Sequence, residues 1–434
     1  MWSMPPLATM ARSRLMARLM TAPSCPSRTA WSLPLVSHSL TLPSAPPLAT
    51  LDRHTAAVTG VALASNGRLV ASGSQDGAIR VSETSAGRAV VTLHGRTGAV
   101  LSLALSGSGD LAATGRADGT LQLWDTRDDR LATTVRAHRG FVYCLALTGT
   151  GSIAASGGAD GTAKVWRVAD GRCVASCHRN TAALRGVALS ENGQVLATCG
   201  DDGAVAVWNA ASGQLIVAVD AHSGPATCVA LSDTGEVLAS GGLDGMVRLW
   251  RGTDARSRTV LQAHTGGVWA VALSGDGKRL LTGGQDGTVK LWDANNGRLR
   301  STLPGHFGAV LRVALSGDGR RVASGGLDGT LNVSDSDAHA AWVRPQGHPG
   351  GVMGAALSAD GRLLASCGND GAIAISDAIS GAELRNLRGP RLYERMRITG
   401  LTGVTAAQRD AMIALGAIEP PEVTLPTRSA EMIN

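Results

Sequence analysis

Three sets of side chains in this 434-residue sequence could do chemistry: His138, Ser156, Asp160 and Trp166; His222, Ser240, Asp244 and Trp250; and His264, Thr282, Asp286 and Trp292. Imidazole, hydroxyl and carboxylate are the parts of an activated nucleophile, and His with Asp can also hold zinc. Their repetition argues against both uses. The Asp of each set belongs to a column of Asp-Gly pairs at Asp76, Asp118, Asp160, Asp202, Asp244, Asp286, Asp328 and Asp370, each 42 residues after the last. A catalytic centre is a single non-repeating cluster, and His residues held one structural unit apart cannot meet on one metal. The sequence therefore predicts no catalytic residue, no metal site and no cofactor. There is no GxSxG, HExxH or phosphate-cradling GxxxxGK[ST] motif either.

The elements that must position these residues follow from the same period. Gly67, Gly109, Gly151, Gly193, Gly235, Gly277, Gly319 and Gly361 form a second column, and Leu63 through Leu357 a third, with no insertion between units. Within one unit, Val268 to Ser274 is an apolar run, Gly275–Gly277 a turn and Arg279 to Gly284 a second run. Asp286-Gly287 is a tight turn, Thr288 to Trp292 a third run, and Leu299 to Leu303 a fourth after Asn296-Gly297. Short runs separated by Gly-centred turns are a hairpin signature, so each unit is expected to be a four-stranded antiparallel sheet.

A 42-residue unit carrying His264, Thr282, Asp286-Gly287 and Trp292-Asp293 resembles the WD repeat, and the resemblance spans about residues 46–388. It implies an all-β, closed β-propeller, with eight blades expected and seven plus an extra unit as the alternative. It also implies that His, Ser or Thr, Asp and Trp form a buried hydrogen-bonded chain across each blade, in which every polar group is satisfied by its neighbour. Arg96 and Asn180 replace His in two units, and Ser82, Ser334 and Ser376 replace Trp in three; those blades are expected to be less firmly braced. In such rings the outer strand of a blade comes from the neighbouring repeat. That strand occurs nine times here, from Pro47–Asp52 to Ala382–Arg388, so one end copy is redundant.

Residues 1–45 lack the period. They hold five of the ten Met, and residues 1–50 carry four Arg and no acid. A transit peptide or a disordered tail has such a composition, but Leu19–Ser24, back-translated with GC-rich codons and read one frame over, can give Ala-Asp-Asp-Gly-Thr-Val, which resembles the turn motif. The segment is therefore read as a frame-shifted upstream repeat or a mis-called start. Residues 389–434 form a tail in which Thr405 and Gln408 make a capping box for a short helix ending at Gly416. With Tyr393 to Gly400 and Thr405 to Gly416, this tail resembles the segment that ends many bacterial WD-repeat proteins, a group in which the propeller often serves as the ligand-sensing end of a signal-transducing NTPase; this implies an effector domain that is absent or lies upstream.

Composition narrows the functional classes. The net charge of +6 comes from the ends: residues 51–387 carry 30 Lys plus Arg against 29 Asp plus Glu, and aromatic residues are 3%. That disfavours nucleic acid, which needs a basic stripe with interleaved aromatics. No run of 18 apolar residues is present, which disfavours a membrane span. Seven Cys without a CxxC pair suit a reducing, cytoplasmic compartment, with Cys144 and Cys228 in one column and Cys199 and Cys367 in another that is otherwise Gly.

The remaining expectation is a non-catalytic scaffold or sensor for a protein or peptide, monomeric or part of a larger assembly. One column singles out its contact surface. Five residues after the His position stand Thr59, Leu101, Tyr143, Arg185, Thr227, Trp269, Leu311 and Met353, without the uniformity of the neighbouring Ala and Leu columns. With Phe141, two residues before Tyr143, the residues Tyr143, Arg185, Trp269, Leu311 and Met353 are read as a partner-binding rim near the channel entrance; strand-end packing is the alternative.

Overall fold

Local chemistry builds each blade. The turn Asp accepts the backbone N–H two residues on, as Asp286 does from Thr288 at 3.0 Å, and the intervening Gly287 takes φ 76°, a left-handed conformation that side chains resist. The hairpin closed there pairs Thr282 with Lys290 and Leu281 with Leu291. A computed structural model describes residues 54–387, apart from 86–88, 95–97, 129, 180–181, 252–256, 304, 338–343 and 346. All regular structure among the described residues is strand, arranged as eight antiparallel sheets.

Seven sheets have four strands each, and three strands of the seventh blade are described, Val310–Leu315, Arg321–Gly326 and Leu331–Asp335. In blade 6 the order from the inside outward is Val268–Leu273, Arg279–Gly284, Val289–Asp293 and Arg298–Leu303. Eight inner strands, from Val58–Leu63 in blade 1 to Val352–Leu357 in blade 8, stand side by side around the ring. The seven-bladed alternative is thereby excluded. The outer strand of blade 8 is Glu383–Leu387, so the C-terminal copy fills that position. The Pro47–Asp52 copy, the 1–45 extension and the tail helix lie outside the described residues.

Two devices close the ring. At the turns between first and second strands, backbone N–H groups donate from unit to unit: Ser65 to Gly107 (2.9 Å), Gly107 to Gly149 (2.8 Å), Glu191 to Asp233, Asp233 to Gly275, Gly275 to Gly317, Gly317 to Ala359, and Ala359 back to Ser65 (3.2 Å). The one gap in this belt, from Gly149 to Glu191, is bridged by the Glu191 carboxylate at 3.0 Å. The second device is packing. Every described core cluster draws on two neighbouring blades, so the core lies in the seams. Trp124, Trp166, Trp208, Trp250 and Trp292 are each buried in the seam with the preceding blade. Ser334, Ser376 and Ser82 stand in the Trp column, so three consecutive seams, 6/7, 7/8 and 8/1, lack that wedge. The closing seam is filled by Val58, Val70, Ala365, Cys367, Ile373 and Ile375 instead.

Candidate interaction face at the channel mouth

The buried polar chains are built on one face of the ring, where the turn Asp meets the loop entering each inner strand. In blade 3, His138 Nδ1 lies 3.0 Å from Asp160 Oδ1, His138 Nε2 lies 2.7 Å from Ser156 Oγ, and Trp166 Nε1 donates to Ser156 Oγ at 2.9 Å. A carboxylate only accepts, so Nδ1–H donates to Asp160 and the bare Nε2 accepts the Ser156 hydroxyl proton. The His222 and His264 chains repeat this, with Asp244 and Asp286 at 3.0 and 2.9 Å, Ser240 and Thr282 both at 2.9 Å, and Trp250 and Trp292 donating to those hydroxyls. Burial pushes the His138, His222 and His264 pKa down, against the pull of their Asp partners, and keeps the rings neutral. Burial would raise Asp160 and Asp286, but the hydrogen bonds they accept hold both at about 2. The order carboxylate, imidazole, hydroxyl is also that of a catalytic triad, but Ser156, Ser240 and Thr282 are wholly buried and each accepts a Trp N–H, which makes the chain a brace within the blade.

The bracing extends beyond the three complete sets. His54, His306 and His348 also bridge an Asp (Asp76, Asp328, Asp370) and a Ser (Ser72, Ser324, Ser366). Blade 2, expected to be weakly braced because Arg96 replaces His, has its own solution. Arg116 is fully buried and donates to Gly77 and Gly98 carbonyls at 3.1 and 2.6 Å and to Gln122 at 3.1 Å. The same position is Gly in six other units, because a Cβ on Gly158 would stand 2.5 Å from the His138 ring. Arg96 and Asn180 themselves lie outside the described residues.

The turn Asp does a second job that matters for the surface. Its other oxygen accepts the backbone N–H of the residue after His: Thr55 (2.8 Å), Arg139 (2.9 Å), Ser223 (3.3 Å), Thr265 (3.1 Å) and Phe307 (2.8 Å). Five loops at this face are thus clamped to the blade beneath them, whereas Pro349 gives blade 8 no N–H at that position.

The irregular column proves to have a single backbone cause. In every inner strand the pairing with the second strand skips one residue: Val58 pairs with Ser74 and Gly60 with Gly73, leaving Thr59 between them. The same skip leaves Leu101, Tyr143, Arg185, Thr227, Trp269, Leu311 and Met353. Each is the extra residue of a β-bulge, which turns its side chain out of the regular pleat. The bulged positions differ in what they do. Thr59 and Thr227 donate to the next blade's carbonyls of Val100 and Val268. The Phe141 and Tyr143 rings pack at 5.6 Å, tilted by 55°, Arg185 lies 5.0 Å over the Tyr143 ring, and Asp201 grips the Arg185 guanidinium with two hydrogen bonds. These four form one continuous surface across blades 3 and 4. Trp269, Leu311 and Met353 are half-buried in other blades, and Met353 also packs on the closing seam.

Three residues of this face escaped the sequence reading. Phe307 is fully exposed and Leu327 is 46% exposed. Phe307 was visible as the one aromatic in a column of Thr55, Thr97, Arg139, Thr181, Ser223, Thr265 and Pro349. Arg312 follows the bulge in blade 7, where the other units have Gly, Ser, Cys or Ala. Among the described residues no group of three His, Cys, Asp or Glu could hold a metal, and no helix is long and apolar enough to cross a membrane.

The family model described as WD domain, G-beta repeat matches residues 45–81, 87–125, 129–167, 171–209, 213–251, 255–293, 297–335 and 343–377. This chain belongs to the WD-repeat family. Six of the eight matches, from 87–125 to 297–335, open with the outer strand of one blade and continue into the next, as 129–167 takes in Arg130–Arg136 of blade 2 and three strands of blade 3. The WD repeat thus stitches neighbouring blades covalently. Among solved structures, this WD-repeat protein is similar to the computationally designed Ika8 protein, with 25% identity over 75% of this chain and 98% of that one and a TM-score of 0.67. Comparison with curated proteins gives no match.

Proposed function

We propose that this WD-repeat propeller is a protein- or peptide-binding platform with no chemistry of its own, and that its contact surface is the face where the turn aspartates clamp the loops. The observation that carries the reading is the ring of β-bulges. A backbone device repeated in all eight blades carries differing side chains: Thr59 and Thr227 turn theirs to the next blade, and the other six positions offer Leu, Tyr, Arg, Trp and Met from one frame, as a recognition surface requires. The rim residues Phe141, Tyr143, Arg185 and Trp269 are the types that dominate interface energies. In its finer form the proposal makes the propeller the sensor portion of a bacterial signal-transduction protein, working in the cytoplasm; the described cysteines, all free, suit a reducing compartment.

The test selects peptides from a random phage-displayed library on the full chain and then replaces Tyr143, Arg185 and Trp269 singly by Ala. Weaker peptide capture at an unchanged melting temperature supports the rim. Lower stability with undiminished capture by the folded fraction returns these residues to the core, and a library that yields no binder counts against the platform itself.

A further inference from the structure

The inner strands leave one charge in an otherwise neutral column. Cross-strand pairs join Gly60 to Gly73, Cys144 to Gly157, Gly354 to Cys367 and, in blade 7, Arg312 to Gly325. Where other blades place a thiol or a methyl group, blade 7 places a guanidinium. Arg312 is exposed, yet protein surrounds it closely enough that desolvation lowers its pKa, and its charge lies within electrostatic reach of both Cys228 of blade 5 and Cys367 of blade 8. A side chain from blade 7 meets all three conditions by standing in the central channel. Its described hydrogen bond goes to the neighbouring Leu311 carbonyl at 2.8 Å. Among the described residues no carboxylate pairs with it, whereas Arg185, Arg248 and Arg279 are matched by Asp201, Asp244 and Asp337.

On the same blade and face, Phe307 stands fully exposed on a backbone fixed by Asp328, with Leu327 partly exposed beside the loop. An exposed aromatic side chain on a clamped backbone, five residues before an exposed cation with no described carboxylate partner, is matched by a ligand with an apolar group and an acid. No second cation shares the Arg312 column, so the geometry suits one planar monoanion held by the guanidinium fork rather than a phosphate dianion.

We propose that the channel mouth at blade 7 receives a peptide carboxylate on Arg312, with an apolar side chain of the same peptide resting on Phe307. This rests on the platform reading above and names its partner chemistry.

The library selection described above provides the probe: the most enriched peptide, labelled and titrated by fluorescence anisotropy against the full chain. It is expected to contain a required Asp, Glu or free C-terminus. Arg312→Ala should weaken it tenfold or more, Arg312→Lys should restore part of the loss, and Phe307→Ala should weaken it severalfold. Melting temperatures should hold, because both side chains are exposed. Arg312→Glu should shift the selection toward basic peptides. Enriched peptides that need no acid, or an affinity unmoved by Arg312→Glu, would overturn the assignment while leaving the platform standing. Acetate or inorganic phosphate binding as tightly as the peptide would overturn the peptide as occupant. No enriched peptide at all would remove the platform and this inference with it.

Discussion

Asp328 ties the interior of blade 7 to its surface: Oδ1 lies 3.2 Å from His306 Nδ1, and Oδ2 accepts the Phe307 backbone N–H at 2.8 Å. One carboxylate therefore braces the blade and clamps the backbone that carries Phe307, a fully exposed aromatic residue. Asp328→Ala is expected to speed hydrogen exchange of the Phe307 amide by about tenfold, the factor equivalent to about 1.4 kcal/mol. Exchange unchanged in this variant would mean that the loop is held by something else.

The complete chain in blade 6 should behave as a stability element. Asp286→Ala leaves the His264 Nδ1–H buried without its acceptor, at a cost of about 1–3 kcal/mol. The measurement is the urea midpoint of the full chain, and a variant as stable as the parent would argue that the bracing contributes nothing net.

Stability should fall on acidification in two stages. His138, His222, His264 and His306 have folded pKa values below the ordinary imidazole value because burial disfavours the cation. For a depressed group the contribution is complete above the unfolded pKa, about 6.5, and is lost as pH falls toward the folded pKa. Asp160 and Asp286, held at about 2, add a second loss below the unfolded carboxylate value of about 3.9. Thermal melts between pH 7.5 and 5 should thus show a falling midpoint; one that rose would reverse the burial argument.

Arg116 and the missing histidine of blade 2 should be interchangeable as a pair. Arg116→Gly alone removes the described hydrogen bonds to Gly77, Gly98 and Gln122 from a buried site and should destabilise by several kcal/mol. Adding Arg96→His to that variant recreates the arrangement of blade 3 and should recover part of the loss. A double variant no better than Arg116→Gly would show that the two solutions are not equivalent.

Seams without Trp should open first. Burial of a Trp is worth about 3–5 kcal/mol against Ala in a core, and seams 6/7, 7/8 and 8/1 lack one. Native-state hydrogen exchange is expected to be faster in blades 7, 8 and 1 than in blades 3 to 5. Uniform protection around the ring would show that aliphatic packing such as Ile373 and Ile375 compensates fully.

The sequence by itself determined the number of units, their strands and the residues of the bracing chains, because each depends on spacing along the chain: Asp-Gly every 42 residues, alternating apolar runs, His before the inner strand and Trp after the turn. It also exposed the irregular column of Thr59 through Met353, since a repeat displays its exceptions. The reason for that column lay in pairing. Only the register shows that Tyr143 or Trp269 is skipped by its partner strand. The two Cys columns make the same point. In the sequence, Cys144 and Cys228 belong to one column and Cys199 and Cys367 to another; in the sheet, Cys144 faces Gly157, Cys228 faces Gly241, Cys199 faces Gly186 and Cys367 faces Gly354. Both columns line one slot with room for a single side chain, since a Cβ on Gly157 or Gly354 would stand 2.6 or 2.7 Å from the facing sulfur. Arg312, opposite Gly325, stands at the same register position with an exposed side chain. Tertiary structure decided this because contact between neighbouring strands, unlike the period, is a property of how the chain is laid side by side.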